Sequence, residues 1–551
     1  MRIGLAQVNP TVGDLTANTA MIIAAYAKAA SAGCDIVAFP ELSVTGYPPE
    51  DLVMKPGFLA DNSRALDEVV AATGECIAVI GFVDVVSVRL ENSDMAGTEE
   101  RILFNAAAIA QNGKTLGVYR KQVLPNYSVF DEERYFTPGP SVQDIYECAG
   151  VPFAVSICED LWVGDPTEQQ ASQGARVCIS INGSPFHRDK ASVRRDLVTS
   201  RARENGVVVA YVNQLGGQDE LVFDGGSLVA DAHGVLSAES GFFVEDILIV
   251  DVATDGTVTQ VSPSTCSDDD ELRDVYEALV LGTRDYVLKN GFTDVVIGLS
   301  GGIDSAIVAA IAVDALGAAH VHGVSMPSRY SSEGSKSDAA ELAINLGIDF
   351  RTIPIEPAFA SYLSMLEESF AGKQADLTEE NLQSRVRGTV LMALSNKHGW
   401  MVLTTGNKSE MAVGYFTLYG DSVGGYAVIK DVMKTTVYEL CEAVNVRAGR
   451  ELIPRAIIDK APSAELRPDQ RDDQSLPPYD VLDSILEMYV ELDLTASDII
   501  QRGYDTELVR RIARLVDLNE YKRRQCPPGV RVSTKAFGKD RRLPITNRYR
   551  G

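Results

Sequence analysis

The sequence predicts an α/β protein in two parts, a mixed layered α/β domain followed by a doubly wound parallel sheet. Three observations carry this expectation. From Arg2 to about Val252, short apolar β-like runs recur with helical stretches between them. A stretch rich in Gly, Ser, Thr and Asp, "ATDGTVTQVSPSTCSDDDE", then interrupts the pattern and reads as a linker. Beyond it, "VVIGLS", "VHGVSMP" and "MVLTTG" read as strands that end in turn residues, the arrangement by which open parallel sheets present ligands at their carboxyl ends. The expected division is 1–255, a linker over 256–270, and 271–551.

Bulk properties agree with two globular domains. At 551 residues the chain exceeds the size at which single cores stop growing. Its 77 acidic against 50 basic residues give a net charge of −27, which argues against a general nucleic-acid binder or a protein drawn to anionic membranes. The cysteines at 34, 76, 148, 158, 178, 266, 441 and 526 lack CxxC pairing or close Cys/His spacing, so neither a zinc site nor a disulfide framework is expected. The start "MRIGLAQVNPTVGDL" has no long apolar core and no small-residue cleavage site, and no run of 18 apolar residues follows. A soluble protein of the reducing cytoplasm is the expectation.

In the first part, the β-like runs are "IGLAQV", "DIVAFP", "IAVIGFV", "NAAAIA", "FAVSIC", "VCISIN", "VVVAYV" and "DILIVDV". Cys158 stands where "FAVSI" gives way to a turn and is followed by Glu159 and Asp160. Alone, such a cysteine reads as a small core hydrophobe, as Cys178 in "VCISI" does. A thiol becomes a nucleophile only with a base or a positive charge to favour the thiolate. "IVAFPELSVTGYPPEDL" offers Glu41 beyond one apolar strand, and "GVYRKQVLPNYSVFDEERYFTPG" offers Lys121 beyond another.

These three segments resemble the nitrilase superfamily, whose Glu-Lys-Cys triad cleaves carboxamides and nitriles, and the resemblance covers about residues 1 to 255. It implies an α-β-β-α sandwich with Glu41 as general base, Lys121 as the cation that stabilises the oxyanion, and Cys158 as the nucleophile. A second, supporting glutamate is implied at Glu132, with Glu133 beside it as the rival. "LPNYSVFDEERYF" and "INGSPFHRDK" are similar to versions in which such a domain serves as glutaminase, which implies glutamine contacts from Tyr127, Ser184 and Lys190.

The second part contains "IGLSGGIDSA", a Gly-rich stretch between an apolar run and an apolar helix, yet without the lysine of a GxxxxGK[ST] loop. Backbone N–H groups and hydroxyls of Ser300, Gly301, Gly302 and Ser305 at a helix N-terminus make an anion site. The alternative is a plain strand-helix turn capped by serine and aspartate. "SGGIDS" resembles the signature of the ATP pyrophosphatases, which cut ATP between the α and β phosphates. That implies ATP contacts over Gly298, Leu299, Ser300, Gly301, Gly302, Ile303, Asp304 and Ser305, with Asp304 a Mg²⁺ ligand. Because pyrophosphate leaves as a unit, the loop and Mg²⁺ can neutralise it without the lysine.

Longer segments, "TEENLQSRVRG", "LTTGNKSEMAVGYFTLYGDSVGGYAVIKDVMKT" and "KAPSAELRPDQRDDQSLPPYDVLD", are similar to the NAD synthetases over nearly all of residues 270 to 551. This resemblance implies further ATP contacts at Arg387 and Thr405, contacts of deamido-NAD⁺ at Asn381, Glu410, Lys434 and Lys535, Glu410 as a second metal ligand, and Asp421 near the reacting carboxylate. For Asp421 a turn aspartate before a Gly-rich stretch remains the alternative. The joined resemblances imply an amide ligase that takes ammonia from L-glutamine and uses ATP and Mg²⁺ to amidate deamido-NAD⁺, assembled as a homo-oligomer. Other readings stand beside it: a different nucleotide acceptor such as XMP, an ammonia-only synthetase with a silent first domain, and a binding protein that keeps a degenerate nitrilase fold.

Overall fold

The computed structural model describes residues 1–89, 99–142, 144–263 and 270–548. The chain divides into two compact units, one of Met1–Gln218 with Val222–Asp269 and one of Asp219–Leu221 with Asp270–Gly551. Among the described residues no helix is long and apolar enough to cross a membrane.

The first unit stacks two sheets. One has seven strands in the spatial order Val258–Gln260, Asp246–Val252, Arg2–Gln7, Ile36–Ala38, Ile77–Arg89, Glu99–Gln111 and Lys114–Arg120. The other has six, in the order Leu236–Glu239, Leu228–Ala230, Val208–Asn213, Val177–Asn182, Val151–Ile157 and Tyr146–Cys148. Successive side chains of a strand point to opposite faces, and the cores follow that rule. Ile3, Leu5, Ile36, Val79 and Ile109 of the first sheet meet Val155, Ile157, Ile179 and Val212 of the second in one buried layer. The alternate residues Ala6, Val37, Ala78, Ile80 and Ala108 face the helices Leu15–Ser31 and Pro56–Ala71. On the far side Val209, Tyr211 and Cys178 pack on Val198 and Ala202 of the helix Lys190–Asn205. The layering is therefore helix, sheet, sheet, helix, as expected, and Cys178 is a core residue.

The stretch read as linker is not wholly irregular. Its β-branched "VTQ", Val258–Gln260, pairs antiparallel with Asp246–Val252 and extends the seven-stranded sheet. Residues 264–269, with Cys266, lie outside the described residues.

The second unit carries a five-stranded sheet in the order Asp349–Thr352, Val321–Ser325, Val295–Gly298, Met401–Thr404 and Tyr426–Ala427, parallel throughout. The strand after Val295–Gly298 in sequence pairs on one side of it, and Met401–Thr404 pairs on the other. Order reverses there, and the crevice beyond the carboxyl ends of these two strands is where such sheets hold ligands. Helix Ile303–Leu316 is buried on nearly every face and packs against Glu271–Lys289 and Lys434–Ala448. A separate helical core gathers Leu482, Ile485, Ile499, Val509 and Ile512.

Candidate active sites

In the first unit Glu41, Lys121 and Cys158 each sit just beyond the carboxyl end of a strand, the first two from one sheet and the cysteine from the other. Lys121 Nζ donates to Glu41 Oε1 at 2.6 Å and to Glu132 Oε1 at 2.9 Å. The structure thus brings Glu132, and not Glu133, onto the lysine. All three side chains are buried. Buried charges are tolerated only when they are paired and their remaining lone pairs are satisfied. Here Asn105 Nδ2 donates to Glu41 Oε1 at 2.7 Å, Gly183 N to Glu41 Oε2 at 2.9 Å, and Tyr47 OH to Glu132 Oε1 at 2.9 Å. Asn105 reaches because Ala106 and Arg120 are cross-strand partners, which sets Asn105 beside Lys121.

The electrostatics follow from that packing. Burial draws the Lys121 ammonium down, but Glu132 and Glu41 outweigh it and hold it well above the ordinary lysine value. Burial pushes the Glu132 carboxyl up to about 7, against the pull of Lys121 and with the push of Glu41. Burial, and then Glu41, raise the Cys158 thiol well above its usual range while Lys121 opposes them. Cys158 has φ 46°, a left-handed conformation that costs a side-chain-bearing residue about 1–3 kcal/mol and gathers at functional sites. Its N–H is anchored on Ile181 O at 3.0 Å.

The three residues expected to contact glutamine are each placed by one neighbour. Tyr127 OH donates to Glu159, the neighbour of Cys158, at 3.1 Å from both oxygens. Ser184 follows the Gly183 that touches Glu41, and its backbone N–H donates to Asn213 Oδ1 at 3.0 Å. Lys190 Nζ lies 3.9 Å from the ring centre of Trp162, on the short helix that Cys158 opens. Asp160 fixes the turn: its buried carboxylate accepts the N–H groups of Gln122, Val123 and Ile157 and the hydroxyl of Tyr119.

In the second unit "SGGIDS" lies at the strand-order reversal. Leu299 N continues the sheet by donating to Val324 O at 2.9 Å, and the helix begins at Ile303. Ser300 Oγ accepts Gly302 N at 3.2 Å and lies 3.2 Å from Ser305 Oγ, so the two hydroxyls close the loop on itself. Gly301 has φ 77°, and a Cβ there would stand 2.2 Å from Ser335 O. No side chain caps the helix, so its first N–H groups are available to an anion.

Asp304 Oδ1 accepts from Asn407 Nδ2 at 2.9 Å, and Oδ2 pairs with Lys434 Nζ. Glu410 Oε1 lies 3.5 Å from the same ammonium. Lys434, expected at the dinucleotide, is thus placed between the two expected metal ligands. Among the described residues no third His, Cys, Asp or Glu completes a metal cluster. Two carboxylates facing one ammonium fit the donor set of Mg²⁺, which is usually held by one or two carboxylates, substrate phosphates and water.

The other expected residues lie on several elements of this unit. Thr405 follows the strand Met401–Thr404 directly. Arg387 Nε donates to Met326 O at 3.1 Å, and burial draws its guanidinium down to about 10 against Glu465 and Asp421. Asn381 Oδ1 accepts from Thr417 Oγ1 at 2.8 Å. Asp421 Oδ1 accepts Ser384 Oγ at 2.8 Å and Thr417 N at 2.9 Å, the bonding of a turn aspartate. Lys535 is engaged by Asp493, and its carbonyl accepts from the buried Lys408 at 3.0 Å. Sequence reading missed Asn105, Tyr47, Asn407 and Lys408. Tyr47 carried a signal, its place inside "IVAFPELSVTGYPPEDL", as did Asn407 and Lys408 inside "TGNKSE".

The carbon-nitrogen hydrolase family matches residues 2–259, and the NAD synthase family matches residues 275–526. A hydrolase of C–N bonds joined to an NAD synthase defines a two-part carbon-nitrogen ligase. The chain belongs to the family of glutamine-dependent NAD(+) synthetases. It is 45% identical to the member from Thermotoga maritima over 587 aligned positions, covering 100% of this chain and 99% of that protein. It is 48% identical to the member from Xanthomonas campestris pv. campestris, covering 100% and 98%. The solved structure of the Acinetobacter baumannii enzyme in complex with ADP is 41% identical, with a TM-score of 0.78 over 99% of this chain and 98% of that one.

Proposed function

We propose that the first unit hydrolyses L-glutamine at Cys158 and that the second uses the released ammonia to amidate deamido-NAD⁺ with ATP. The observation that carries this is the buried Glu41–Lys121–Glu132 cluster beside Cys158, in one chain with a glycine loop at a sheet reversal.

Glutamine enters with its side-chain amide on Cys158 and its charged end toward Tyr127, Ser184 and Lys190. Because burial keeps the thiol protonated, it needs a base at the moment of attack, and Glu41 takes the proton. Sulfur bonds to the amide carbon, the C=O electrons move onto oxygen, and Lys121 stabilises that oxyanion. Glu132 keeps Lys121 charged and aimed, and Asn105 holds both carboxylates in register. Collapse expels ammonia with the proton carried by Glu41 and leaves a thioester. Glu41 then deprotonates the water that hydrolyses it to glutamate.

In the second unit the N–H groups at Ile303 and the hydroxyls of Ser300 and Ser305 receive the β and γ phosphates, and Thr405 and Arg387 contact the rest of ATP. Asp304 and Glu410 would hold Mg²⁺, which supplies charge neutralisation for the departing pyrophosphate. The nicotinate carboxylate attacks the α phosphorus, the α–β bridging bond breaks, and an acyl adenylate forms. Ammonia adds to the activated carbonyl and AMP leaves, giving the nicotinamide. Adenylation is required because oxide does not leave a carboxylate, whereas AMP does.

The test is product analysis with ¹⁵N-amide glutamine, ATP, Mg²⁺ and deamido-NAD⁺. The expected result is ¹⁵N in the carboxamide of NAD⁺, with AMP and pyrophosphate in equal amounts. Release of ADP and orthophosphate refutes the reading.

A further inference from the structure

The phosphate loop has no lysine of its own, yet the fold delivers one to it. Lys460 follows the short helix Arg455–Asp459 and opens "KAPSAEL", a segment to which the mechanism above gives no task. Its Nζ donates to Gly301 O at 3.1 Å and to Ser335 Oγ at 3.2 Å and pairs with Asp338. Five residues on, Glu465 also binds Ser335 and adds Ser332. It accepts Ser332 N at 3.1 Å, Ser332 Oγ at 2.9 Å and Ser335 Oγ at 2.7 Å. The segment is thus tied at both ends to the start of the helix Glu333–Leu346, against which Gly301 is packed too tightly for any Cβ.

We propose that Lys460 is a positioning residue for the ATP phosphates. Its ammonium binds the carbonyl of the one loop residue held in a left-handed turn. While that carbonyl is held by Lys460, the N–H groups that follow stay aligned for the phosphates. Asp338 and Ser335 complete the coordination of the ammonium, so in this arrangement it orders the loop and does not itself contact a phosphate. Glu465 secures the segment and also acts electrostatically on Arg387, a proposed ATP contact. The inference rests on the assignment of ATP to this loop.

The experiment titrates ATP, AMP and inorganic pyrophosphate separately onto the full chain in Mg²⁺, comparing wild type with Lys460→Met and Lys460→Arg. Loss of a charge-assisted bond to the loop is expected to weaken ATP and pyrophosphate about tenfold or more in Lys460→Met. AMP, which lacks the β and γ phosphates, is expected to bind as before, and Lys460→Arg to restore part of the loss. KM for ATP is expected to rise while KM for deamido-NAD⁺ and glutamine hydrolysis stay unchanged. Unchanged ATP affinity, or equal loss for AMP and ATP, overturns the proposal. Should Lys460→Met fail to fold, Glu465→Gln is measured in the same way, and unaltered ATP binding there overturns it. A wild-type chain that does not bind ATP overturns the underlying assignment instead.

Discussion

Asp304 and Lys434 form an ion pair across 130 residues of sequence, at the first turn of the helix Ile303–Leu316. Glu410 stands 3.5 Å from the same ammonium, and burial, with Asp304 adding to it and Lys434 opposing, pushes its carboxyl up to about 8. The lysine lets two carboxylates stay close together. Under the proposed function these two carboxylates would hold Mg²⁺ beside the ATP phosphates.

Asp304→Asn is therefore expected to keep the fold, because size is preserved and Asn407 can still bond the amide oxygen. It is expected to slow synthesis by on the order of 100-fold or more with glutamine or ammonia as donor. Glutamine hydrolysis at Cys158 should persist. Chelation of Mg²⁺ should reproduce this split in the wild type. Steady-state assays with each donor check both, and normal synthesis by a folded Asp304→Asn chain reduces the aspartate to a helix-terminal residue.

Cys158→Ala is expected to abolish glutamine-dependent synthesis and leave ammonia-dependent synthesis largely intact. The thiol is needed only to liberate ammonia, and the substitution removes little volume. Parallel NAD⁺ assays with the two donors decide it, since equal loss with both contradicts a division of labour between the units.

The two carboxylates on Lys121 make glutamine hydrolysis pH-dependent in a predictable direction. Glu132 is raised to about 7 by burial, with Glu41 adding to the rise and Lys121 opposing it. As pH falls through about 7 Glu132 gains a proton and its negative charge no longer holds Lys121, so kcat/KM should fall on the acid side. Glu132→Gln removes the titrating group, and this acid limb should be lost. A limb that stays in place shows that another group sets it. Lys121→Met strands two buried carboxylates, with an expected stability loss of about 3–5 kcal/mol, read by thermal denaturation, beside a loss of turnover of at least about 100-fold.

Much of this was legible in the sequence because the signals were local. All eight apolar runs of the first part are strands, since a strand buried on both faces reads as an unbroken apolar run. In the second part Val295–Gly298, Val321–Ser325 and Met401–Thr404 were legible for the same reason. The edge strands Asp349–Thr352 and Tyr426–Ala427 were not, being short, charged or glycine-flanked. The same limit applies at the sites. Glu41, Lys121 and Cys158 end recognisable runs, whereas Asn105 looks like one more strand residue until cross-strand register sets it beside Lys121. Lys460 reaches Gly301 across 159 residues, a distance over which no spacing in the chain carries information.

Gly301→Ala tests the proposed phosphate loop through its backbone alone, without touching a charge. Gly301 has φ 77°, and an added Cβ would meet Ser335 O at 2.2 Å and Ser335 Cα at 2.8 Å. The left-handed turn costs alanine about 1–2 kcal/mol. The contact cannot be relieved by a flexible side chain, because its partner is main chain at the start of the helix Glu333–Leu346. The loop must therefore shift, and its N–H groups lose their alignment. Synthesis is expected to fall on the order of 100-fold with either nitrogen donor, with KM for ATP raised and glutamine hydrolysis kept. Ser300→Ala, which removes one hydroxyl without backbone strain, should cost less. If Gly301→Ala folds and binds ATP with wild-type affinity, the loop is only a strand-helix turn and the phosphates lie elsewhere.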